Sequence, residues 1–262
     1  MRETQGPHPM SDPWYVTAFG GHYTDLYHHR NDDDARRAIE CVGRHHDLDP
    51  QAGPILDLCC GTGRHAMQWL ERFGNGVDIV GLDLAPNLLQ DAARDASANG
   101  HGLSLVRGDM RFLPFPDASF RLVLNLFTSF GYFTDQAENQ AVFDEVRRVL
   151  CDSSGHFVFD HINPPRLRGT LVPESRRRTP SGTEVTEKRT IDEARSRVEK
   201  TIEIRDGDET RSILESVRFY ERDEVHTMAE QAGLAIEHEM GDFDDSPLTP
   251  DSARAIYVLR IG

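Results

Sequence analysis

The sequence predicts an α/β protein that combines a doubly wound, mostly parallel sheet with a smaller antiparallel insertion. Up to residue 163, short apolar runs alternate with amphipathic patterns of helical period. Strands that alternate with helices are typical of a parallel sheet with right-handed crossovers. From 183 to 220 the residues instead alternate between polar and apolar, which predicts antiparallel strands with one face open to solvent.

The core elements follow from the apolar runs and from the signals that begin and end helices. Strands are predicted at 54–59, 77–82, 103–107, 120–126, 156–160, 234–240 and 254–259. Helices are predicted at 35–45, 137–150 and 222–232, after Gly63, and from Pro86 onward. Proline is favoured in the first turn of a helix because its missing N–H has no intrahelical partner there.

The insertion is predicted from three alternating runs. Asp206-Gly207 stands between the second and third of them and is a strong signal for a hairpin turn. We therefore divide the chain into an N-terminal tail and helical cap (1–50), a core (51–165 and 221–262) and the insertion (166–220). We expect the insertion and the N-terminal helices to form a lid that helps to exclude water from the carboxyl ends of the parallel strands.

Composition excludes several classes of function. The chain has 262 residues, with 29 Lys+Arg against 44 Asp+Glu and a formal net charge of −15. This charge argues against broad capture of nucleic acid or anionic lipid. No apolar run approaches the roughly 20 residues of a membrane span. The polar, proline-rich start does not resemble a signal peptide.

The cysteines and histidines show no metal-ligand spacing, so no metal is expected. Four cysteines without a disulfide framework are typical of a reduced, cytoplasmic protein. We therefore expect a small-molecule partner, with no nucleic acid and no membrane. The sequence does not indicate an oligomeric state.

A glycine-rich turn, Gly61-Thr-Gly63, joins the first predicted strand to the helix that follows. Glycine allows the backbone to turn sharply and to approach a ligand without a Cβ in the way. The turn also fits the dinucleotide fingerprint, because Ala66 stands three residues after Gly63. A dinucleotide and another nucleoside cofactor both remain open on this evidence.

Three acidic residues separate these options. Asp57 lies within the first strand, and Asp83 and Asp109 stand at the ends of the second and third. Asp83 is placed to accept ribose hydroxyls, and Asp109 to accept an adenine amino group. Asp57 would repel a pyrophosphate, but would favour an ammonium or a sulfonium. The three acids therefore favour a cationic, adenosyl-bearing cofactor over a dinucleotide.

Four motifs, in this order and spacing, resemble those of class I S-adenosylmethionine-dependent methyltransferases. They are Ile55-Leu-Asp-Leu-Cys-Cys-Gly-Thr-Gly63, Gly81-Leu-Asp-Leu84, Gly108-Asp-Met110 and Leu124-Asn-Leu-Phe127. The resemblance covers roughly residues 50–160 and points to the bacterial small-molecule type with an antiparallel sheet insertion. It implies a Rossmann-like, seven-stranded sheet with its last strand antiparallel and S-adenosylmethionine as cofactor. The implied reaction is methyl transfer to a nitrogen or oxygen of a small molecule.

The resemblance also implies roles for individual residues around the cofactor. Gly61 and Gly63 would border the methionine moiety, and Leu126 would lie under the sulfonium. Asp83 would bind the ribose, Leu84 would pack on the adenine, and Asp109 and Met110 would contact the adenine amine and ring. Tyr15 and Tyr23 would cover the cofactor, and Arg30 would reach its carboxylate. For Tyr15, Tyr23 and Arg30, ordinary packing or surface solvation is an equal alternative.

A general base assists methyl transfer when the acceptor is an amine or a hydroxyl. The base is expected near the carboxyl ends of the parallel strands, where ligands bind in such sheets. Tyr132 follows the fourth strand and His161 the fifth, so both are candidate catalytic residues. For both, ordinary packing or a backbone hydrogen bond remains the simpler alternative.

Several alternatives stay open at this stage. The chain is also compatible with a methyltransferase for protein or RNA, with a non-catalytic cofactor-binding module, and with an NAD-dependent oxidoreductase. A basic cluster between Arg166 and Arg178 either steers an acidic substrate or is a solvated surface run. Asn163-Pro-Pro165 is interpreted as a loop that ends the fifth strand.

Overall fold

The computed structural model describes residues 13–17, 32–44, 53–74, 76, 78–151, 154–179, 182–207 and 209–262. The helices are α1 (Trp14–Thr17), α2 (Asp32–Arg44), α3 (Arg64–Phe73), α4 (Pro86–Ala98), α5 (Gln136–Val149), α6 (Pro164–Thr170) and α7 (Arg222–Gln231). The strands are β1 (Ile55–Leu58), β2 (Ile79–Asp83), β3 (Ser104–Arg107), β4 (Leu122–Asn125), β5 (His156–His161), β6 (Glu174–Arg178), β7 (Glu184–Asp192), β8 (Arg197–Asp206), β9 (Glu209–Arg218), β10 (Leu234–Met240) and β11 (Ala255–Ile261). Tyr23 and Arg30 lie outside the described residues.

Seven of the described strands form the central sheet, in the order β10-β11-β5-β4-β1-β2-β3. Strands β1 to β5 pair in parallel with their neighbours. Strand β11 runs antiparallel to both β5 and β10. The predicted doubly wound sheet with an antiparallel last strand is therefore confirmed. Strands β1 and β4 are buried at every position, as expected for strands that are covered on both faces.

Helices cover both faces of this sheet. Ile39 of α2 and Trp69 of α3 belong to one apolar cluster on the first face. Phe143 of α5 and Met228 of α7 pack with Phe157 of β5 on the opposite face. Each fully buried large apolar side chain stabilises the fold by about 1.5–3 kcal/mol. The two clusters therefore hold the strand ends, and the loops that follow them, in a fixed arrangement.

The insertion forms a separate antiparallel sheet in the order β6-β7-β8-β9. The predicted hairpin at Asp206-Gly207 joins β8 to β9, and Gly207 has a φ of +59°. Strand β6 was not predicted, because its sequence, Glu-Ser-Arg-Arg-Arg, has no apolar residue to alternate with the polar ones. Part of the basic cluster lies in this strand, where Arg178 pairs with Glu184 and Arg176 with Glu174.

The loop interpretation of Asn163-Pro-Pro165 is corrected by the structure. Helix α6 begins at Pro164, because prolines fit the first turn of a helix. The side-chain amide of Asn163 donates hydrogen bonds to the carbonyls of Thr249 (3.0 Å) and Ser252 (2.7 Å). Asn163 thus fastens the start of α6 to the loop between β10 and β11.

The insertion reaches the core at the carboxyl ends of the parallel strands. The backbone N–H of Arg218, the last residue of β9, donates to the carbonyl of Gly131 at 2.7 Å. Helix α1 packs against β9 on the same side. The role of the insertion as a lid stays a prediction. None of the described helices is both long and apolar enough to cross a membrane.

Candidate functional site

A cavity of about 400 Å³ lies at the carboxyl ends of β1 to β4. The loops after these strands line it together with residues of α1 and β9. The sequence-predicted residues on its wall are Tyr15, Gly61, Asp83, Leu84, Asp109, Met110 and Tyr132. Four other described candidates are not wall residues, namely Asp57, Gly63, Leu126 and His161. The cavity has the size and place typical of small-molecule sites in open α/β sheets.

The two glycines of the turn after β1 have different surroundings. Both have a positive φ, +55° at Gly61 and +75° at Gly63. A Cβ added to Gly61 would meet no heavy atom of the described residues within 4 Å, so the wall is open there. A Cβ on Gly63 would lie 3.2 Å from both Ala92 and Leu103. Gly61 therefore leaves room for a ligand, whereas Gly63 allows α4 to pack closely against the turn.

Asp83 is held by the backbone at the end of β2. Its Oδ2 accepts the N–H of Gly61 and its Oδ1 accepts the N–H of Ala85, both at 2.8 Å. Burial raises the pKa of Asp83, and these amides only partly oppose the shift. Because each carboxylate oxygen has about two acceptor positions, each oxygen of Asp83 retains capacity for a ligand hydroxyl.

Asp109 is held instead by Arg111. The Nη2 of Arg111 lies 2.6 Å from Oδ2, and its backbone N–H lies 2.9 Å from Oδ1. Burial alone would raise the pKa of Asp109, but the bonds from Arg111 outweigh it and hold the pKa below its usual range. Arg111 also pairs with Glu138 and lies 4.3 Å over the ring of Phe133. A ligand amine at Asp109 would therefore share a carboxylate oxygen with Arg111.

Asp57 is buried beneath the glycine turn, with 1% of its surface exposed. Burial raises its pKa to about 7, although a hydrogen bond from the backbone of Ala66 opposes the shift. The nearby charge of Asp83 adds to the rise. Oδ2 of Asp57 has no hydrogen-bond partner among the described residues. Asp57 thus supports the turn from behind and does not touch the cavity.

Aromatic side chains form the part of the wall next to α1. The ring of Tyr132 stacks on Tyr15, with centroids 6.3 Å apart, and meets Trp14 edge-on at 5.0 Å. Tyr15 also meets Phe133 edge-on at 5.4 Å. The hydroxyl of Tyr132 donates to the carbonyl of Thr128 at 3.3 Å. Tyr132 is therefore a wall residue whose hydroxyl faces the turn after β4.

His161 does not have the surroundings of a general base. It is 1% exposed and lies among the rings of Phe130, Phe159 and Tyr220. Burial lowers its pKa to about 3, which outweighs the opposing effect of the Arg218 backbone. Burial disfavours the protonated ring, and His161 does not line the cavity. In this structure His161 therefore packs in the aromatic core and makes no contact with the proposed acceptor side.

The turn after β4 reaches the cavity through Phe127 and Thr128, while Leu126 packs in the apolar core. The backbone of both wall residues is in the left-handed region, with a φ of 57° at Phe127 and 60° at Thr128. The buried Asp160 accepts the N–H of Phe127 at 2.7 Å and pairs with Arg254 at 2.8 Å. Arg254 in turn lies 4.3 Å over the Phe127 ring. These contacts hold the turn in its strained conformation.

Other wall residues were not predicted as site residues. They are Trp14, Val16, Cys59, Arg107, Phe127, Thr128, Ser129, Phe133, Glu215 and Val217, together with several residues around the start of α4. The aromatic run from Phe127 to Phe133 was a usable signal for part of this set. Glu215 and Val217 belong to the insertion, and their approach to the cavity depends on contacts across the fold. Glu215 pairs with Lys200 at 2.6 Å.

Comparison with known proteins agrees with this geometry. Residues 55–153 match the family model described as a methyltransferase domain. A demethylmenaquinone methyltransferase of Thermus thermophilus is 34% identical over 137 residues, which are 52% of this chain and 58% of that protein. The chain thus spans little more than half the length of this curated relative.

Two solved structures match almost the whole chain. An S-adenosylmethionine-dependent methyltransferase from Clostridium acetobutylicum has a TM-score of 0.76 at 18% identity, over 94% of this chain and 98% of that one. CalS10, an amino pentose methyltransferase from Micromonospora echinaspora, has a TM-score of 0.66 at 22% identity, over 92% and 96%. At these identities the likeness shows the fold. The sheet order and the family match agree: residues 55–153 match a methyltransferase domain, and the chain has the fold of solved S-adenosylmethionine-dependent methyltransferases.

Proposed function

We propose that the protein transfers a methyl group from S-adenosylmethionine to a nitrogen or oxygen atom of a small molecule. The observation that carries this proposal is the cavity at the carboxyl ends of β1 to β4. Gly61, Asp83 and Asp109 converge on it from three successive strand ends. The approach of these residues to one cavity is what an adenosyl-bearing ligand requires.

The wall fits the adenosyl group in shape and polarity. The carboxylate of Asp83 lies on the wall and retains acceptor capacity beside its backbone bonds, as the binding of a ribose hydroxyl requires. Leu84 and Met110 supply apolar surface for the adenine. The open space at Gly61 gives room for the chain that leaves the ribose. We expect these four residues to make the main contacts with the nucleoside.

The charges on the wall favour a cationic ligand. Among the described wall residues, Asp83, Asp109 and Glu215 are acidic, and Arg107 is basic. Asp57 adds a further acidic group behind Gly61. Arg111 and Lys200 offset Asp109 and Glu215, so the acidic charge beside the glycine turn comes mainly from Asp83, which repels a pyrophosphate and attracts a sulfonium or an ammonium. S-adenosylmethionine therefore fits better than NAD.

The residues of the chain would contribute mainly by positioning. When bound, S-adenosylmethionine supplies a methyl group that is already activated by the sulfonium. Holding an acceptor in line with that methyl group is worth roughly 7–11 kcal/mol of the barrier. The hydroxyl of Tyr132 donates a hydrogen bond to the carbonyl of Thr128, which fixes its ring on the wall of the cavity, where it would help to place the acceptor. The aromatic wall would exclude water around that group.

A nitrogen acceptor has specific support. The match to CalS10, an amino pentose methyltransferase, covers 92% of the chain and so takes in most of the insertion. The match to the demethylmenaquinone methyltransferase covers 52%. Because residues of β9 reach the cavity, relatives that share the insertion are the better guide to the acceptor. We therefore favour transfer to nitrogen over transfer to a quinone ring.

Titration calorimetry with S-adenosylhomocysteine and with NAD tests the choice of cofactor. We expect S-adenosylhomocysteine to bind with a Kd in the micromolar range, roughly −8 kcal/mol, and NAD not to bind. Binding of NAD without binding of S-adenosylhomocysteine would contradict the proposal.

The acceptor is identified by incubating the protein with methyl-labelled S-adenosylmethionine and a metabolite extract, followed by mass spectrometry. We expect a small product with the label on nitrogen or oxygen. A label that appears only on protein or RNA would point to the alternative substrates. Binding without any labelled product would point to a non-catalytic module.

A further inference from the structure

Arg197, the first residue of β8, is a buried arginine with 6% of its surface exposed. Its guanidinium donates to three successive carbonyls of the segment after β4. Nη1 lies 3.1 Å from the oxygen of Phe133, and Nη2 lies 3.2 Å and 3.3 Å from those of Gly131 and Tyr132. One side chain of the insertion therefore fixes the backbone of a segment that contains two wall residues.

The same guanidinium also binds the insertion itself. Its Nε donates to Oγ of Ser216 at 2.8 Å, and its Nη2 donates to the Ser216 carbonyl. Arg197 thus bridges β9 and the segment 131–133. A planar fork with five N–H donors can make this set of contacts, whereas the point charge of a lysine cannot.

The backbone around Gly131 shows how closely the two parts meet. Gly131 has a φ of +83°, and a Cβ there would lie 2.2 Å from the carbonyl oxygen of Arg218. The Gly131 carbonyl accepts the N–H of Arg218 at 2.7 Å as well as Nη2 of Arg197. The segment is therefore seated directly on the end of β9.

A buried cation costs free energy unless its charge is compensated. Within the described part of the chain, no carboxylate forms an ion pair with Arg197, although many surface arginines have one. The dipoles of the four carbonyls that accept its hydrogen bonds partly compensate its charge instead. An apolar side chain at this position would avoid the cost but could not donate to the four carbonyls.

We propose that Arg197 is a positioning residue, which fixes Tyr132 and Phe133 as the acceptor side of the cavity. The inference rests on the proposed function for the meaning of that side, but the positioning itself can be measured without an acceptor. Tyr132 and Phe133 hold the rings of Trp14 and Tyr15. Loss of the guanidinium should therefore loosen the aromatic wall. The nucleoside side should be affected much less, because Gly61, Asp83 and Met110 receive none of the hydrogen bonds of Arg197 and Phe133 reaches Asp109 only through Arg111.

Acrylamide quenching of tryptophan fluorescence tests the proposal. The chain has two tryptophans, and Trp69 is fully buried, so the quencher reports on Trp14. Because lysine keeps the charge but not the fork, we expect Arg197→Lys to raise the quenching constant about twofold. The matched control is Arg195→Lys on the preceding turn, where the side chain is 62% exposed and pairs with Asp192. We expect no change in the control.

Two further measurements keep the outcomes distinct. Ser216→Ala removes one partner of Arg197 and should raise the quenching constant by less than Arg197→Lys does. This variant keeps the test available if Arg197→Lys does not fold. The affinity for S-adenosylhomocysteine should fall by no more than about threefold in every folded variant, since Phe133 reaches the nucleoside side only indirectly, through Arg111 and Asp109. Unchanged quenching in the folded variants, or an equal rise in the control, would overturn the proposal. Failure of the native protein to bind S-adenosylhomocysteine would count against the proposed function alone.

Discussion

At the scale of single residues, Asp57 shows how burial links the site to stability. Its pKa in the folded protein is about 7, chiefly because burial disfavours the charged carboxylate. The unfolded value is near 3.9. Between these values the folded state binds more protons than the unfolded state, so this residue lowers stability as pH rises.

The variant Asp57→Asn removes this titration, and its amide oxygen still accepts a hydrogen bond at the same place. Between pH 5 and pH 8 we expect the native protein to lose about 2–3 kcal/mol of unfolding free energy relative to the variant. Urea unfolding of both proteins at the two pH values measures the difference. If the two pH profiles run parallel, Asp57 does not have the raised pKa.

Asp83 carries the prediction for the cofactor. Replacing it with alanine removes both acceptor oxygens at the ribose position, so S-adenosylhomocysteine binding should weaken by about 1.5–3 kcal/mol. Calorimetry of Asp83→Ala measures this loss. The matched control is Asp78→Ala, an exposed acid just before the same strand, which should bind as the native protein does. Equal affinities in the two variants would contradict the ribose assignment.

Some of the site residues predicted from sequence line the cavity and His161 does not, for a physical reason. Gly61, Asp83 and Asp109 follow successive parallel strands, so their approach to one cavity was predictable. The side chain of His161 belongs to β5, whose six residues are all buried. Sequence position alone does not show whether the residue at a strand end faces the cavity or an apolar layer of phenylalanines.

At the scale of elements, the turn after β4 depends on the buried pair Asp160 and Arg254. Arg254→Met would leave the Asp160 carboxylate buried and unpaired, and breaking such a pair costs about 3–5 kcal/mol. Arg260→Met on the same strand is the control, because Arg260 is half exposed in its pair with Glu237 and should contribute about 1 kcal/mol or less.

Urea unfolding of the two variants measures this contrast. A similar loss in both would mean that the Asp160 pair does not support the turn. A larger loss for Arg254→Met, together with weaker binding of S-adenosylhomocysteine, would show that the turn also shapes the cavity through Phe127 and Thr128.

Elements were predictable where the pattern of side chains is local. Strands β1, β4 and β5 are buried throughout and mainly apolar, and β7 to β9 carry the polar and apolar alternation. Strand β6 has neither feature, because its strand form depends on pairing with β7. Helix α6 was not predicted either, since Asn163-Pro-Pro suits a turn as well as the start of a helix.

At the scale of the whole molecule, the cavity is a product of distant parts of the chain. Its walls combine Trp14 of α1, the loops after β1 to β4, and Val217 of β9. The order of the core elements predicts that the strand ends share one edge. It does not predict the contact between α1 and β9, because that contact depends on the packing of the insertion against the core.

Because the walls come from so many elements, a ligand in the cavity should stabilise the molecule as a unit. S-adenosylhomocysteine at about 100 times its Kd should add about 2.7 kcal/mol to the unfolding free energy. For a chain of this size, that corresponds to a rise in Tm of about 5–10 °C. Differential scanning fluorimetry measures the shift, with NAD at the same concentration as the control. Asp83→Ala should show about half this rise or less at that concentration, because its weaker affinity lowers the ratio of ligand concentration to Kd. An equal shift with NAD, or none with S-adenosylhomocysteine, would mean that the cavity does not hold the adenosyl group.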